Sequence, residues 1–433
     1  MASSVIDEII ERRVPADGPG VAVAVIRDGK TIYKSGYGFA HLEWRQPIGP
    51  ETVLGLGSVT KPFTAQAVLL LEQQGKLRLD DEIIQYLPDY LPDAPTHGRE
   101  ITIAHLLTHT SGIANFVTQP GFWPNTARAE RTPEEVTALF ADLAPDFEPG
   151  EKYSYSNSAY VLLGRLIETL SGMPYGEFIE SGIFAPLGMT HSWYMDDQRI
   201  IPQRAARYLR EEDDWVRAPY FSASVTYAAG GLGSTLDDLI LWDQALREGT
   251  LISHVMDARM RAPVRLNDGR EMGYGMGWGL SRYRGRAVTH HAGGVPGYSS
   301  FVGRFLDDNL TIIVLSNIGL FDAGGLAGEI ANVLLSLPAP ERVAVPAAPS
   351  ELDACAGVYD NFIGESLEVS RKDETITVSG ELTCDLISLG GATYASADDP
   401  DITVRFEQPD DRGYTRVMVV VPFYWYVVAR KNT

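Results

Sequence analysis

Two hydrophobic periods alternate along the chain, and the places where one gives way to the other divide it. An opening stretch, MASSVIDEIIERRVP, carries its isoleucines at helical spacing and predicts an amphipathic helix. GVAVAVIRDGKTIYKSGYGFA then alternates apolar and polar positions and turns at Asp28-Gly29, which predicts a hairpin with strands Val21 to Ile26 and Thr31 to Tyr37. Helical spacing follows. Pro62 to Gln74 reads as a buried helix ended by Gly75, and HLLTHTSG (105–112), TPEEVTALFADL (132–143), SAYVLLGRLIETLSG (158–172) and GSTLDDLILWDQAL (233–246) predict further helices. Between 285 and 318 the pattern returns to two or three short strands around Gly/Pro turns, with Asp307-Asp308-Asn309 as a hairpin turn. GLAGEIANVLLSL (325–337) closes the region as a helix.

Strands, helices and strands again predict an α+β fold: an antiparallel sheet flanked by helices, with an inserted helical lobe at roughly 80–235 of a domain spanning 1–337. PAPERVAVPAAPS (338–350) is a Pro/Ala-rich linker. Residues 351–433 alternate between polar turns and predict a small β-barrel domain, whose aromatic strand FYWYVV is read as core.

Composition narrows the function classes. With 433 residues, 45% of them hydrophobic, the chain can bury a large core. A formal charge of −21 disfavours nucleic acid and anionic membrane as partners. The longest apolar runs are too short to span a bilayer, and the amino terminus lacks the pattern of a signal peptide, so a cytoplasmic protein is expected. Cys355 and Cys384 are the only cysteines and are expected as reduced core thiols, although one bridge between them is open.

Candidate chemistry starts in GLGSVTKPFTAQAVLLL, where Ser58 and Lys61 share a helical face. A hydroxyl is a weak nucleophile until a base removes its proton, and a buried lysine of lowered pKa can be that base. Helix capping with a surface lysine explains the same spacing. In EKYSYSNSAYVLLG, Tyr155 could relay a proton and Asn157 could hold Lys61 or a substrate carbonyl; packing and capping are the alternatives. His291-Ala292-Gly293 leaves room beside a strand edge for a substrate and for oxyanion donors. His105 and His109 stand four apart, as metal ligands can, but scaffold packing is expected and no metal is implied.

GSVTKPFTA, YSYSNSAY and HHAGGVPGYSS occur in the order of three motifs, and residues 5–336 resemble the serine β-lactamase and penicillin-binding-protein superfamily, in its class C-like branch. The resemblance implies that Ser58 is acylated, that Lys61 is its general base, and that Tyr155 shuttles the proton. It implies that Asn157, His291 and Gly293 orient the substrate. The backbone N–H of Ser58 and one near Ser299 would form the oxyanion hole. It implies no cofactor. His291 stands where family members carry a lysine, so a fixed ammonium for a substrate carboxylate is replaced by an imidazole that is partly charged near neutrality. A small ester or short peptide is therefore the expected substrate. A carboxylesterase comes first; a D-aminopeptidase or D-residue-specific peptidase, a weak β-lactamase and a catalytically silent binding protein are the alternatives. Phe122, Trp123 and Tyr227 are read as a pocket wall or as lobe core. Similar architectures with an added barrel imply a role in access to the site or in a homo-oligomer formed through the carboxy-terminal domain.

Overall fold

The alternating segment VAVAVIR forms a strand buried on both faces, and the sheet of the first unit is assembled around it. The computed structural model describes residues 2–88, 90, 100–212, 214–360, 366–380, 382–410 and 413–430. Contacts divide the chain into two compact units: Met1–Val117, Gly121–Arg282 and Arg286–Ala331 form the first, and Thr118–Pro120, Tyr283–Gly285 and Asn332–Thr433 the second.

The chain opens with α1 (Ala2–Arg13), which buries Ile6, Ile9 and Ile10, and continues into β1 (Val21–Arg27) and β2 (Lys30–Tyr37). Helices follow: α2 (Thr60–Gln73), α3 (Ile103–Leu107), α4 (Pro133–Ala138), α5 (Asn157–Ser171), α6 (Ala223–Gly230) and α7 (Leu236–Glu248). The chain then returns to strands β3 (Gly279–Tyr283), β4 (Arg286–Val295), β5 (Tyr298–Phe305) and β6 (Leu310–Ser316), and to α8 (Ala323–Leu334). These six strands make one sheet in the order β3-β4-β5-β6-β1-β2, with β1 antiparallel to both β2 and β6. The fold is α+β, with an antiparallel sheet and helices, as the hydrophobic pattern predicts.

Several elements differ from expectation for local reasons. Strand β3 has no clear alternation and escapes the sequence pattern. The helix expected at 132–143 ends at Ala138, because Phe140 and Leu143 bond three residues back and wind a tighter turn that brings Phe140 into the core. The helix expected at 105–112 is α3, capped by Thr102 and finished before His109, whose φ of +59° leaves the helical region.

In the second unit, part of the expected linker is helical: α9 (Pro349–Cys355) starts at a proline in its first turn. Eight strands, β7 (Gly357–Asp360), β8 (Ser366–Lys372), β9 (Thr375–Gly380), β10 (Cys384–Gly390), β11 (Thr393–Ser396), β12 (Thr403–Asp410), β13 (Gly413–Val421) and β14 (Tyr424–Arg430), form a barrel closed by pairing of β7 with β14. Closure removes the exposed edges that an open sheet would present. Tyr359, Val369, Val378, Tyr394, Phe406 and Val417 fill its core together with Leu352 and Cys355 of α9. Cys355 and Cys384 are free, buried thiols. Phe423 is buried, whereas the side chains of 424–429, most of the aromatic strand, lie outside the described residues.

Candidate active site

Ser58 sits in a single 3₁₀ turn, Gly57–Val59, that leads directly into α2. Gly57 adopts φ +49°, and a Cβ there would fall 2.7 Å from the amide nitrogen of Gly294. Likewise, a Cβ at Gly293 would fall 2.0 Å from Leu56 O and 2.9 Å from Ser58 N. Glycines at 57 and 293 thus let the serine turn lie against the end of β4, and side chains there would drive the two apart.

One turn into α2, Lys61 is fully buried. Its Nζ stands 3.1 Å from Ser58 Oγ and donates to Asn157 Oδ1 and to Ala229 O, each at 2.8 Å. Among the described residues no carboxylate pairs with it. The faces of Tyr155 and Tyr160 lie 4.7 and 5.3 Å away. Burial therefore holds the ammonium well below the usual lysine range. Tyr155 also reaches Ser58; burial raises its phenol above the ordinary range, and the hydrogen bond to Ser58 opposes that shift.

Asn157 is free for Lys61 because Ser156, not Asn157, caps α5, accepting from Ala159 N at 3.3 Å. Asn115 Oδ1 accepts from both the backbone N and the side-chain Nδ2 of Asn157, which fixes the amide with its oxygen toward Lys61. The Ala229 carbonyl is aimed by a break in α6. Tyr227 takes φ 41°, ψ −129°, and after it Ala228 O accepts from Thr64 and Ala229 O from Lys61.

Several expected roles change. Tyr227 and Phe122 belong to the core rather than a pocket wall: the Tyr227 ring packs 5.1 Å from Tyr175, and the Phe122 ring 5.1 Å from Phe116. Trp123 is partly buried against the same core. Ser299 lies between two strands, paired with Gly294 on one side and Ser316 on the other, so its backbone is committed to the sheet. The flank of Gly294 turned away from β5 lies against Gly57, where a Cβ would fall 2.7 Å from the Gly294 nitrogen. Gly294 sits one position before Val295 and Tyr298, the pair closing the β4–β5 turn, so alternation of the antiparallel ladder turns its N–H outward beside Ser58.

His291 is not a partly charged anchor. Its Nδ1 donates to Ala292 O at 2.6 Å, which leaves Nε2 to accept from Tyr274 Oη at 3.0 Å. Burial and nearby Lys61 push its pKa down to about 3, so the ring is neutral and both nitrogens are taken. His105 completes a capping box with Thr102, whereas His109 is fully buried, accepts from Ser156 N at 3.1 Å and packs 4.3 Å from the Tyr155 ring. Among the described residues no group of three His, Cys, Asp or Glu side chains lies together as metal ligands would. The sequence reading missed Asn115, Tyr274 and the backbone of Gly294, and took His109 as scaffold packing; an Asn three residues after the HTSG segment and a second glycine after Gly293 were the available signals.

Comparison with known proteins supports one family. The chain is 34% identical over 383 residues to a penicillin-binding protein of Bacillus subtilis (strain 168), covering 83% of this chain and 82% of that protein. It is 28% identical over 334 residues to a D-aminopeptidase of Gluconobacter oxydans (strain 621H), covering 75% of this chain but only 61% of the relative. The octameric penicillin-binding protein homologue from Pyrococcus abyssi matches it in structure with a TM-score of 0.69 at 26% identity, covering 98% of each chain. The Beta-lactamase family matches residues 6–334, and the chain belongs to that family of serine hydrolases.

Proposed function

We propose that the protein hydrolyses amide bonds next to D-configured residues through an acyl-enzyme on Ser58, with small esters as secondary substrates. The observation that carries this reading is the environment of Lys61. A neutral amine has two protons and one lone pair; Asn157 Oδ1 and Ala229 O accept the two protons, and the lone pair is left for the Ser58 hydroxyl at 3.1 Å. Ser58 then gives its proton to Lys61 as the Oγ–carbon bond forms. The oxyanion receives the N–H groups of Ser58 and Gly294. The proton held on Lys61 is returned by way of Tyr155 to the departing nitrogen, which restores both groups, and the steps run in reverse with water. Preference for D-residues is supported by the D-aminopeptidase relative. With His291 neutral, the third motif offers no cation to a substrate carboxylate, which weighs against β-lactam turnover. The octameric homologue, aligned from end to end, supports a homo-oligomer.

The test compares D- and L-alanine p-nitroanilide and p-nitrophenyl butyrate with the wild type and S58A. Turnover of the D-anilide that depends on Ser58 is expected. Ester turnover with silent anilides would replace the D-amide reading with that of a carboxylesterase, and an S58A as active as the wild type would remove Ser58 from the mechanism.

A further inference from the structure

A narrow cleft, with room of about 20 Å³ for a water-sized group, opens beside the serine turn. Its walls include Gly230, Gly231, Val295, Phe221, Asp197 and Arg207. Gly230 lies against the serine turn, since a Cβ on it would stand 3.7 Å from Gly57 C. Val295 directly follows Gly294. The cleft therefore borders the residues that hold Ser58, but none of Tyr155, His291 and Tyr274 lines it.

Arg207 sets the chemistry of this cleft. Its Cβ is wedged against the β4–β5 turn, where a Cβ on Gly297 would fall 2.4 Å from it. Its guanidinium stacks on Phe221, 4.7 Å from the ring centroid. Asp197, the carboxylate of the cleft, is already bound by Arg204 Nη2 at 2.8 Å. Among the described residues no carboxylate stands within ion-pair distance of Arg207, although the group is largely desolvated and its pKa is lowered by burial. Two guanidiniums and one carboxylate leave one positive charge uncompensated. A desolvated, unpaired guanidinium favours an anion that can accept from its planar fork.

We propose that this cleft selects substrates whose acyl part carries a carboxylate, with Arg207 as its specificity determinant. The inference rests on the Ser58 hydrolase reading. The acyl side follows from the placement of the proton donors: the leaving group must depart toward Tyr155, and the cleft lies among residues that do not touch it. The narrow walls fit a carboxylate group rather than a ring. The third motif, with a neutral His291, offers no cation to a substrate, whereas the charge at Arg207 serves its acyl part.

D-glutamic acid α-(p-nitroanilide) and its uncharged isostere, D-glutamine p-nitroanilide, test this directly. The wild type is expected to favour the glutamyl compound about tenfold or more in kcat/KM, as a desolvated charge-assisted pair provides. R207Q is expected to bring the ratio near one, and R207K, which keeps the charge, to restore most of it. Equal rates in the wild type, or a ratio unchanged in R207Q, would overturn the proposal. Calorimetric titration with glutarate of S58A and of S58A/R207Q reads the same contact without turnover: S58A should bind glutarate several-fold more tightly, and equal binding would also overturn the proposal. A failure of Ser58 dependence in the anilide assay, with glutarate binding through Arg207 intact, would strike the hydrolase reading instead.

Discussion

Two buried cationic clusters of the first unit are treated differently: one is given carboxylates and the other is not. Behind the sheet, Arg304 is 2% exposed, and its Nε meets Asp243 Oδ1 at 3.2 Å. Asp243 also holds Arg247 at 2.6 Å and accepts from Thr311 at 2.8 Å, while Asp257 holds Arg261 at 2.7 Å. Lys61 is at least as deeply buried, yet its partners are an amide oxygen, a carbonyl oxygen and the Ser58 hydroxyl. Two carboxylates shared among three guanidiniums tie the first cluster into a fixed geometry of charge-assisted contacts. Neutral acceptors leave the second cluster free to give up its proton. The difference separates a structural use of buried charge from a chemical one.

Breaking the carboxylate-linked cluster gives the largest expected effect. D243A leaves Arg304 and Arg247 without their shared carboxylate, and stability should fall by about 3–5 kcal/mol, measured as a lower denaturant midpoint at pH 7. The folded fraction should keep its rate of Ser58 acylation. An unchanged midpoint would mean that the cluster contributes little.

Converting the second site into the first is the next test. N157D places a carboxylate 2.8 Å from Lys61 Nζ in place of an amide oxygen. That favours the ammonium, so the lysine pKa rises, the base is protonated near neutrality, and kcat/KM at pH 7 should fall roughly ten- to hundredfold. Activity should return as pH increases, with the acid limb of the profile displaced upward by about 1–3 units. A uniform loss at every pH would point to lost substrate contact instead.

The smallest effect concerns acid stability. His291 is held down to about 3 and His290 to about 4 in the folded chain, each chiefly by burial. The unfolded imidazoles take up protons below about 6.5, so the folded state is favoured fully above that pH and progressively less below it. The melting temperature should therefore drop by roughly a few degrees between pH 6.5 and 5, and by less in H290N. A flat profile would place these rings in contact with water.

Much of this was legible in the sequence because it depends on local order. The alternation of VAVAVIR, the glycine at 75 with φ +71°, and the spacing of Ser58 from Lys61 each specify their own geometry. Tyr155 and Asn157 could be read from one segment, since Ser156 caps α5 and turns its two neighbours toward α2. What escaped depends on pairing between distant segments. Ser299 and Gly294 look equally suitable until it is known that Ser299 is paired with Gly294 on one side and Ser316 on the other, whereas Gly294 lies against Gly57. Phe122, Trp123 and Tyr227 carry no mark that distinguishes a pocket wall from a core. The charge of His291 follows from its burial beside Tyr274, 17 residues earlier, and Lys61, which lies far away in the chain. Arg207 was silent for the same reason: an arginine draws notice only once its counter-ion is found to be missing.

Labelling by a fluorophosphonate at pH 7, with the modified peptide located by mass spectrometry in the wild type and in K61A, tests the central claim most directly. The account predicts a single adduct on Ser58 in the wild type and labelling slower by about 10³-fold or more in K61A, as expected when a nucleophile loses its base. A K61A protein labelled at the wild-type rate, or an adduct on another residue, would contradict it.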